Sequence, residues 1–305
     1  MQLQGPDAGR LAQVLSTRDL SGQPVGQGKY AALCDHRGIL INDPIVQKID
    51  AQCYWLSIAD SDIWMWARAV AGTHGFDVEI SEPDASPLAV QGPKAEDVVA
   101  QLFGDWVRDL KYFWFRDAQL EGIPLKVARS GWSKQGGLEL YLLDGTQGDR
   151  LWSIVREAGR PFDIGPGYPN PSERTESGLI NWDVDADDQT NPFEVRMGRF
   201  VDLDLDDSVI GIRALRDLKA RGITRHQLGI LLEGGAEDED QSIRQVIQHA
   251  GRPVGHMTHK AWSYRLERMI GYALVSVEVG PGDTVQVMRE AGPVAGQLVS
   301  LPFAV

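Results

Sequence analysis

ARSGWSKQGGLELY, residues Ala128–Tyr141, sets an arginine, a tryptophan, three glycines, a lysine, a glutamate and a tyrosine between two apolar runs. Leu125–Ala128 reads as the end of one strand. Leu138–Leu143 alternates as Leu, Glu, Leu, Tyr, Leu, Leu and reads as the next. The glycines between them permit tight turns and close approach by a ligand or another backbone. Glu139 and Tyr141 are two apart, so on a strand they share a face. A carboxylate and a phenol beside a turn carrying Trp132 suit the floor of a site for something flat. A hairpin whose Glu and Tyr simply face water has the same pattern.

Outward from this hairpin, the chain carries an internal repeat. Gln2–Leu20 (QLQGPDAGRLAQVLSTRDL) and Ala89–Leu110 (AVQGPKAEDVVAQLFGDWVRDL) both run an apolar residue into Gln-Gly-Pro, continue as an amphipathic helix and close on Arg-Asp-Leu. Gly-Pro ends a strand and starts a helix, with Pro near the first helical position. The match predicts two duplicated strand–helix units. Met1–Gln4 reads as mid-strand, and a strand over Phe76–Glu82 precedes only the second copy. The first half is therefore expected to lack an upstream partner strand.

Further strands are predicted over Lys29–Leu33, Ile39–Ile41, Ile45–Ile49 and Tyr54–Ile58. Asp60-Ser61-Asp62 reads as a helix start before Ile63–Ala71. Leu151–Ala158, Ser172–Ile180 and Ile212–Lys219 read as helices, and Glu233–Gln241 as an acidic loop. From His226–Leu232 onward come short strands at Val254–Met257, Gly271–Val277, Thr284–Arg289 and Gly296–Ser300. That spacing suggests a small antiparallel barrel.

The 305 residues carry a net charge of −13, which argues against wide nucleic-acid contact and against anionic membrane surfaces. A small cationic substrate stays compatible. Cys34 and Cys53 are the only cysteines; they build no disulfide framework and suit a reducing cytoplasm. No apolar run is long enough to span a membrane, and the N-terminus does not read as a signal peptide. Of the nine tryptophans, Trp55, Trp64, Trp66 and Trp114 lie in apolar segments and read as core. Trp106, Trp132 and Trp182 are freer to wall a site. Phosphate-loop, dinucleotide and nucleophile-elbow signatures are missing. His256 and His259 read as surface histidines rather than a metal pair. Asp43, in the turn Asn42-Asp43-Pro44, suits a local cap or a catalytic carboxylate.

Together these segments resemble the folate-binding aminomethyltransferase family typified by the glycine cleavage T-protein. The resemblance rests on GILINDP (38–44), YWLSIADSD (54–62), PLAVQGPKA (87–95) and Ala128–Tyr141. RTESGL (174–179), NPFE (191–194), IGIRAL (210–215) and Leu301-Pro302-Phe303 extend it along nearly the whole chain. Arg-Ser-Gly-Trp-Ser-Lys-Gln-Gly-Gly and Asn-Asp-Pro follow the spelling of the family's demethylase branch.

The resemblance implies an α+β, three-lobed cloverleaf: two duplicated antiparallel α/β halves, over 1–85 and 86–202, plus a C-terminal β-barrel over 203–305. It implies tetrahydrofolate in a central hole, with Glu139 on the pterin and Asp43 at the reacting centre. It puts Ser57, Arg174 and Glu176 beside the folate, and Trp132, Tyr141 and Ser57 where folate and methyl donor meet, with Trp106 and Trp182 as further donor-side walls. The implied reaction moves a methyl group from a small sulfonium donor, such as dimethylsulfoniopropionate, to N5 of tetrahydrofolate. A folate-dependent N- or O-demethylase, an aminomethyltransferase and a non-catalytic, truncated folate-binding paralogue are the alternatives. The partner is then a small-molecule methyl donor, with a homodimer as one expectation for assembly. Two departures touch the substrate side. The family's Tyr-Gly-x-Asp is Trp182-Asp183-Val184-Asp185, and a usual glycine after Pro-x-Glu is replaced, giving Val195-Arg196.

Overall fold

The computed structural model describes residues 1–58, 62–235 and 244–303. Its first part holds strands β1 (Gln2–Gln4), β2 (Gly28–Tyr30), β3 (Leu33–Cys34), β4 (Leu40–Asn42), β5 (Ile45–Asp50), β6 (Cys53–Ser57) and β7 (Glu79–Ser81), with helices α1 (Ala8–Leu15) and α2 (Ile63–His74). Five of the strands form one sheet in the order β2-β5-β6-β1-β7, and β3 pairs with β4. Next come β8 (Ser86–Gln91), α3 (Ala95–Phe103), β9 (Phe115–Leu120), β10 (Ile123–Ala128), β11 (Gly137–Leu142) and α4 (Gly148–Gly159). These strands make a second antiparallel sheet, β8-β11-β10-β9. Helices α5 (Pro171–Glu176), α6 (Trp182–Asp185) and α7 (Ile212–Arg221) lead to a closed barrel of β12 (Arg225–Leu232), β13 (Gln245–His249), β14 (Arg252–Ser263), β15 (Arg268–Ser276), β16 (Thr284–Val287) and β17 (Val294–Val299).

The duplicated turn is real in three dimensions. Gly5 and Gly92 adopt φ of +144° and +117°, and the amides of Ala8 and Ala95 each donate to the preceding Gly carbonyl at 3.1 Å. Each helix then buries its apolar stripe on its own sheet: Ala8, Leu11, Ala12 and Leu15 in the first half, Ala95, Val98 and Val99 in the second. The upstream-partner expectation is corrected. The strand after α2 belongs to the first sheet, as its edge, so β1 is paired on both sides, by β6 and β7.

Alternation decides what faces the middle. On β11, Leu138, Leu140 and Leu142 point into the α3/α4 core, so Glu139 and Tyr141 point to the opposite face. A one-residue slip would drive Glu139 into that apolar layer, so the register is strongly specified. Tyr141 packs with Phe115 and Ala128 against Ile49 and Trp55 of the first sheet. The two sheets thus turn their helix-free faces toward each other.

Three details differ from expectation. The helix over Ser172–Ile180 stops at Glu176, because Gly178 turns at φ +69°. The barrel has one more strand, β13, than the apolar pattern gives. His259 is not a surface residue. It lies half-buried 6.3 Å from the Tyr272 ring, and burial pushes its imidazole down to about 3. Asp60 and Ser61 of the expected helix start, and 236–241 of the expected acidic loop, lie outside the described residues. Among the described residues no helix is long and apolar enough to cross a membrane.

Candidate active site

Between the sheets and the connecting segment lies a cavity of about 430 Å³. Its wall includes Tyr30, Asp43, Ser57, Trp132, Lys134, Glu139, Arg196 and Arg199. A second hollow, also about 430 Å³, adjoins it and shares Trp132 and Glu139. Together they exceed the lower bound of small-ligand sites, which begins near about 300 Å³.

Asp43 follows β4. The Asn42 side chain accepts the Asp43 amide at 2.9 Å, and the Asp43 carboxylate instead takes the Tyr30 hydroxyl at 2.5 Å. Burial pushes the Asp43 carboxyl up to about 7, with the Asp185 charge adding and the Tyr30 hydrogen bond opposing. Burial, together with the Asp43 charge, raises the Tyr30 phenol well above its usual range. Asp43 therefore titrates near neutrality and can change protonation in use.

Glu139 projects from β11. Its Oε2 accepts the Ser130 hydroxyl in a short hydrogen bond and the Tyr141 hydroxyl at 3.4 Å. Tyr141 in turn accepts from Gln47 of the first sheet at 3.4 Å. One carboxylate edge is thus held by protein hydroxyls, and Oε1 remains an acceptor on the cavity wall.

Trp132 rides on the loop between β10 and β11. Gln91, from the second Gln-Gly-Pro, fastens that loop. Its Nε2 donates to the Ser130 and Leu138 carbonyls at 3.2 and 3.3 Å, and its Oε1 accepts the Ser133 hydroxyl at 3.0 Å. A Cβ at Gly131, where φ is +153°, would sit 2.2 Å from the Gln91 Oε1, so a larger residue would have to push this clamp aside. Trp132 is 39% exposed, which leaves ring surface open to a ligand. The Arg174 guanidinium lies 5.5 Å from the centre of its ring.

The structure brings Asp43, Ser57, Trp132 and Glu139 onto one cavity, with Tyr141 bonded directly behind Glu139. It does not bring the remaining candidates to that wall. Arg174 is buried and ion-paired to Asp185 at 2.6 Å. Glu176 accepts the Ser263 hydroxyl at 2.7 Å and faces Arg265 at 3.5 Å, which ties α5 to the barrel. Trp182 donates to the Leu40 carbonyl at 2.9 Å, behind the wall. Trp106 packs on the outer core of the second half, under Arg116. Sequence reasoning missed Tyr30, Lys134, Arg196 and Arg199. Only Arg196 carried a signal, as the residue in a usual glycine place. It adopts φ +63°, the backbone that explains a glycine there.

Two face-to-face α/β halves, a barrel and a carboxylate-lined central cavity define a T-protein-type fold. The family described as GCVT N-terminal domain matches residues 1–205, and the one described as glycine cleavage T-protein C-terminal barrel domain matches 225–304. The chain belongs to this glycine cleavage T-protein family. It is 41% identical to a dimethylsulfoniopropionate demethylase, DmdA, of Ruegeria pomeroyi, over 84% of this chain and 70% of that protein. It is 27% identical to an aminomethyltransferase of Caldanaerobacter subterraneus over 99% of this chain and 81% of the relative. The crystal structure of the glycine cleavage system aminomethyltransferase T from Bartonella henselae superposes with a TM-score of 0.82 at 20% identity. That match covers 99% of this chain and 83% of the other, and shares the fold.

Proposed function

We propose that this protein moves a methyl group from a small sulfonium donor, such as dimethylsulfoniopropionate, to N5 of tetrahydrofolate. The observation that carries the reading is the meeting of Glu139, Asp43 and Trp132 on one cavity. The residues fit the cofactor. The free edge of Glu139 is the acceptor an amino-pyrimidine requires, and the adjoining hollow gives room for a ring with a tail.

When bound, tetrahydrofolate supplies a nitrogen that takes the methyl and gives up a proton. Glu139, fixed by Ser130 and Tyr141, orients the ring. Asp43 holds its Oδ2 to Tyr30 and can take a proton on Oδ1. Trp132 offers an aromatic face to a diffuse cation without competing as a nucleophile. A sulfonium is already activated, so what is left to the protein is alignment and exclusion of water. Ser57 lines the same cavity and would stand on the donor side.

Calorimetry with tetrahydrofolate, followed by a panel of sulfonium, methylamine and methoxy donors, tests the reading. Methyl loss from the sulfonium only when tetrahydrofolate is present is the expected outcome; transfer from an amine or methoxy compound instead would move the activity to an alternative donor. Glu139→Gln keeps shape but turns one acceptor into a donor. It should weaken tetrahydrofolate binding by about 10- to 100-fold, on the scale of a hydrogen bond to a charged group. Unchanged affinity would remove Glu139 from the pterin.

A further inference from the structure

We propose that Lys134, Arg196 and Arg199 form a carboxylate-binding subsite on the wall of this cavity, which selects ligands that carry an acid group. This rests on reading the cavity as the place where folate and donor meet.

Three observations support it. First, all three side chains line the cavity, and among the described residues none is paired with a carboxylate. Elsewhere in this chain of net charge −13, the buried or half-buried Arg174 and Arg225 hold acids. Second, Arg196 is held in place at a backbone cost. Its φ of +63° is one a non-glycine residue adopts rarely. Its Nη2 donates to the Gly178 carbonyl at 2.6 Å and its Nε to the Gln227 Oε1 at 3.2 Å, which aims the rest of the fork. Lys134 is anchored likewise, on the Ser177 carbonyl at 3.0 Å. Third, Arg196 and Arg199 also border an outer hollow of about 440 Å³ in which Lys219 is another cation and no acid lines the wall.

The cations disfavour one another. Burial, with Arg199 adding, lowers Arg196, and burial with both arginines lowers Lys134. An anion seated among them relieves that repulsion, and a guanidinium fork suits a planar carboxylate. Two ligands of the proposed reaction bring one: a zwitterionic sulfonium donor, and the glutamyl end of a folate.

Binding of non-reacting pairs tests the subsite without relying on turnover. One arm compares 3-(methylthio)propionate with 3-(methylthio)propanol; the other compares folic acid with pteroic acid, which lacks the glutamate. Affinities are read by calorimetry on the wild type, Arg199→Met and Lys134→Met. Both substituted residues are exposed, so both variants should fold, and thermal melting checks this. The expected result is a preference for the acid of at least about tenfold in one arm, lost in Arg199→Met and reduced in Lys134→Met. The arm that shows it identifies the source of the carboxylate. A wild type that binds tetrahydrofolate with no acid preference in either arm overturns the subsite and leaves the proposed function standing. So does a preference that both variants retain. Failure of the wild type to bind tetrahydrofolate sinks the proposed function itself.

Discussion

Asp43→Asn is expected to lower kcat by about 100- to 1,000-fold, the scale of losing a positioned proton acceptor, while raising stability at alkaline pH. The substitution keeps the acceptor for Tyr30 and removes only the charge. The sign of the stability effect follows from burial. The folded carboxyl titrates near 7, above the ordinary carboxylate value of 3.8, so the native state holds a proton that the unfolded chain has released between those values. Wild-type stability from this group therefore falls as pH rises from about 4 to 7, and the full cost is present above 7. The substituted amide never ionises, so the variant should gain about 2–4 kcal/mol relative to wild type at pH 8 and almost nothing at pH 4. Urea denaturation at the two pH values measures this, and the pH–rate profile of the wild type should rise with a midpoint near 7. An activity that is flat between pH 6 and 8 would show that Asp43 does not take part in ionised form.

Arg174→Met should be the most damaging change to the fold, at about 3–5 kcal/mol. Arg174 and its partner Asp185 are 2% and 0% exposed. Asp185 also accepts the Asn181 amide at 2.7 Å and the Thr258 hydroxyl at 3.2 Å, so its charge is spread across α5, α6 and β14. Removing the arginine strands that carboxylate in protein. Burial already raises the Asp185 carboxyl, and without the guanidinium it should rise further. Protonation then repairs the variant. Its deficit should shrink as pH is lowered from 8, opposite to a loss caused by packing alone. Arg174→Met with Asp185→Leu should recover much of the stability, as buried ion pairs replaced whole often do. A double variant no better than the single one would show that the aliphatic stem, rather than the charge, holds this junction.

Those two residues also mark how far the sequence can be read. The family resemblance puts Asp43 beside the reacting centre, and a period-two pattern that the sheet must obey puts Glu139 and Tyr141 on one face. Their positions in the structure follow from local rules: a turn, an alternation, a glycine bend. Arg174 and Glu176 carry equally strong motif signals, yet Glu176 turns to the barrel, and Arg174 lies behind Trp132, paired to Asp185. Nothing local distinguishes a polar helix face that meets a ligand from one that meets another domain. Trp106 and Trp182 lie off that wall for the same reason, since an indole beside a turn packs against whatever the distant chain supplies. Tyr30, Lys134 and Arg199 are invisible in the sequence because their importance depends on contacts across the fold. The strand β7 is misassigned from sequence because chain order suggests which strand is upstream, whereas pairing is decided by which edge is open.

The anchoring of α5 has a consequence for the barrel. Among the described residues no barrel residue lines the cavity, but the Tyr272 hydroxyl lies 2.9–3.1 Å from the carbonyls of Arg174, Thr175 and Leu179. Arg174 in turn leans on the Trp132 ring. Trp132, Arg174 and Tyr272 thus form one chain of contacts that runs from the cavity wall to β15. If a ligand on Trp132 changes how firmly the barrel holds α5, reciprocity requires that grip to change ligand affinity by the same factor. The C-terminal barrel thus stands one contact behind Arg174 and two behind Trp132, as a prop for the cavity wall that it does not itself line.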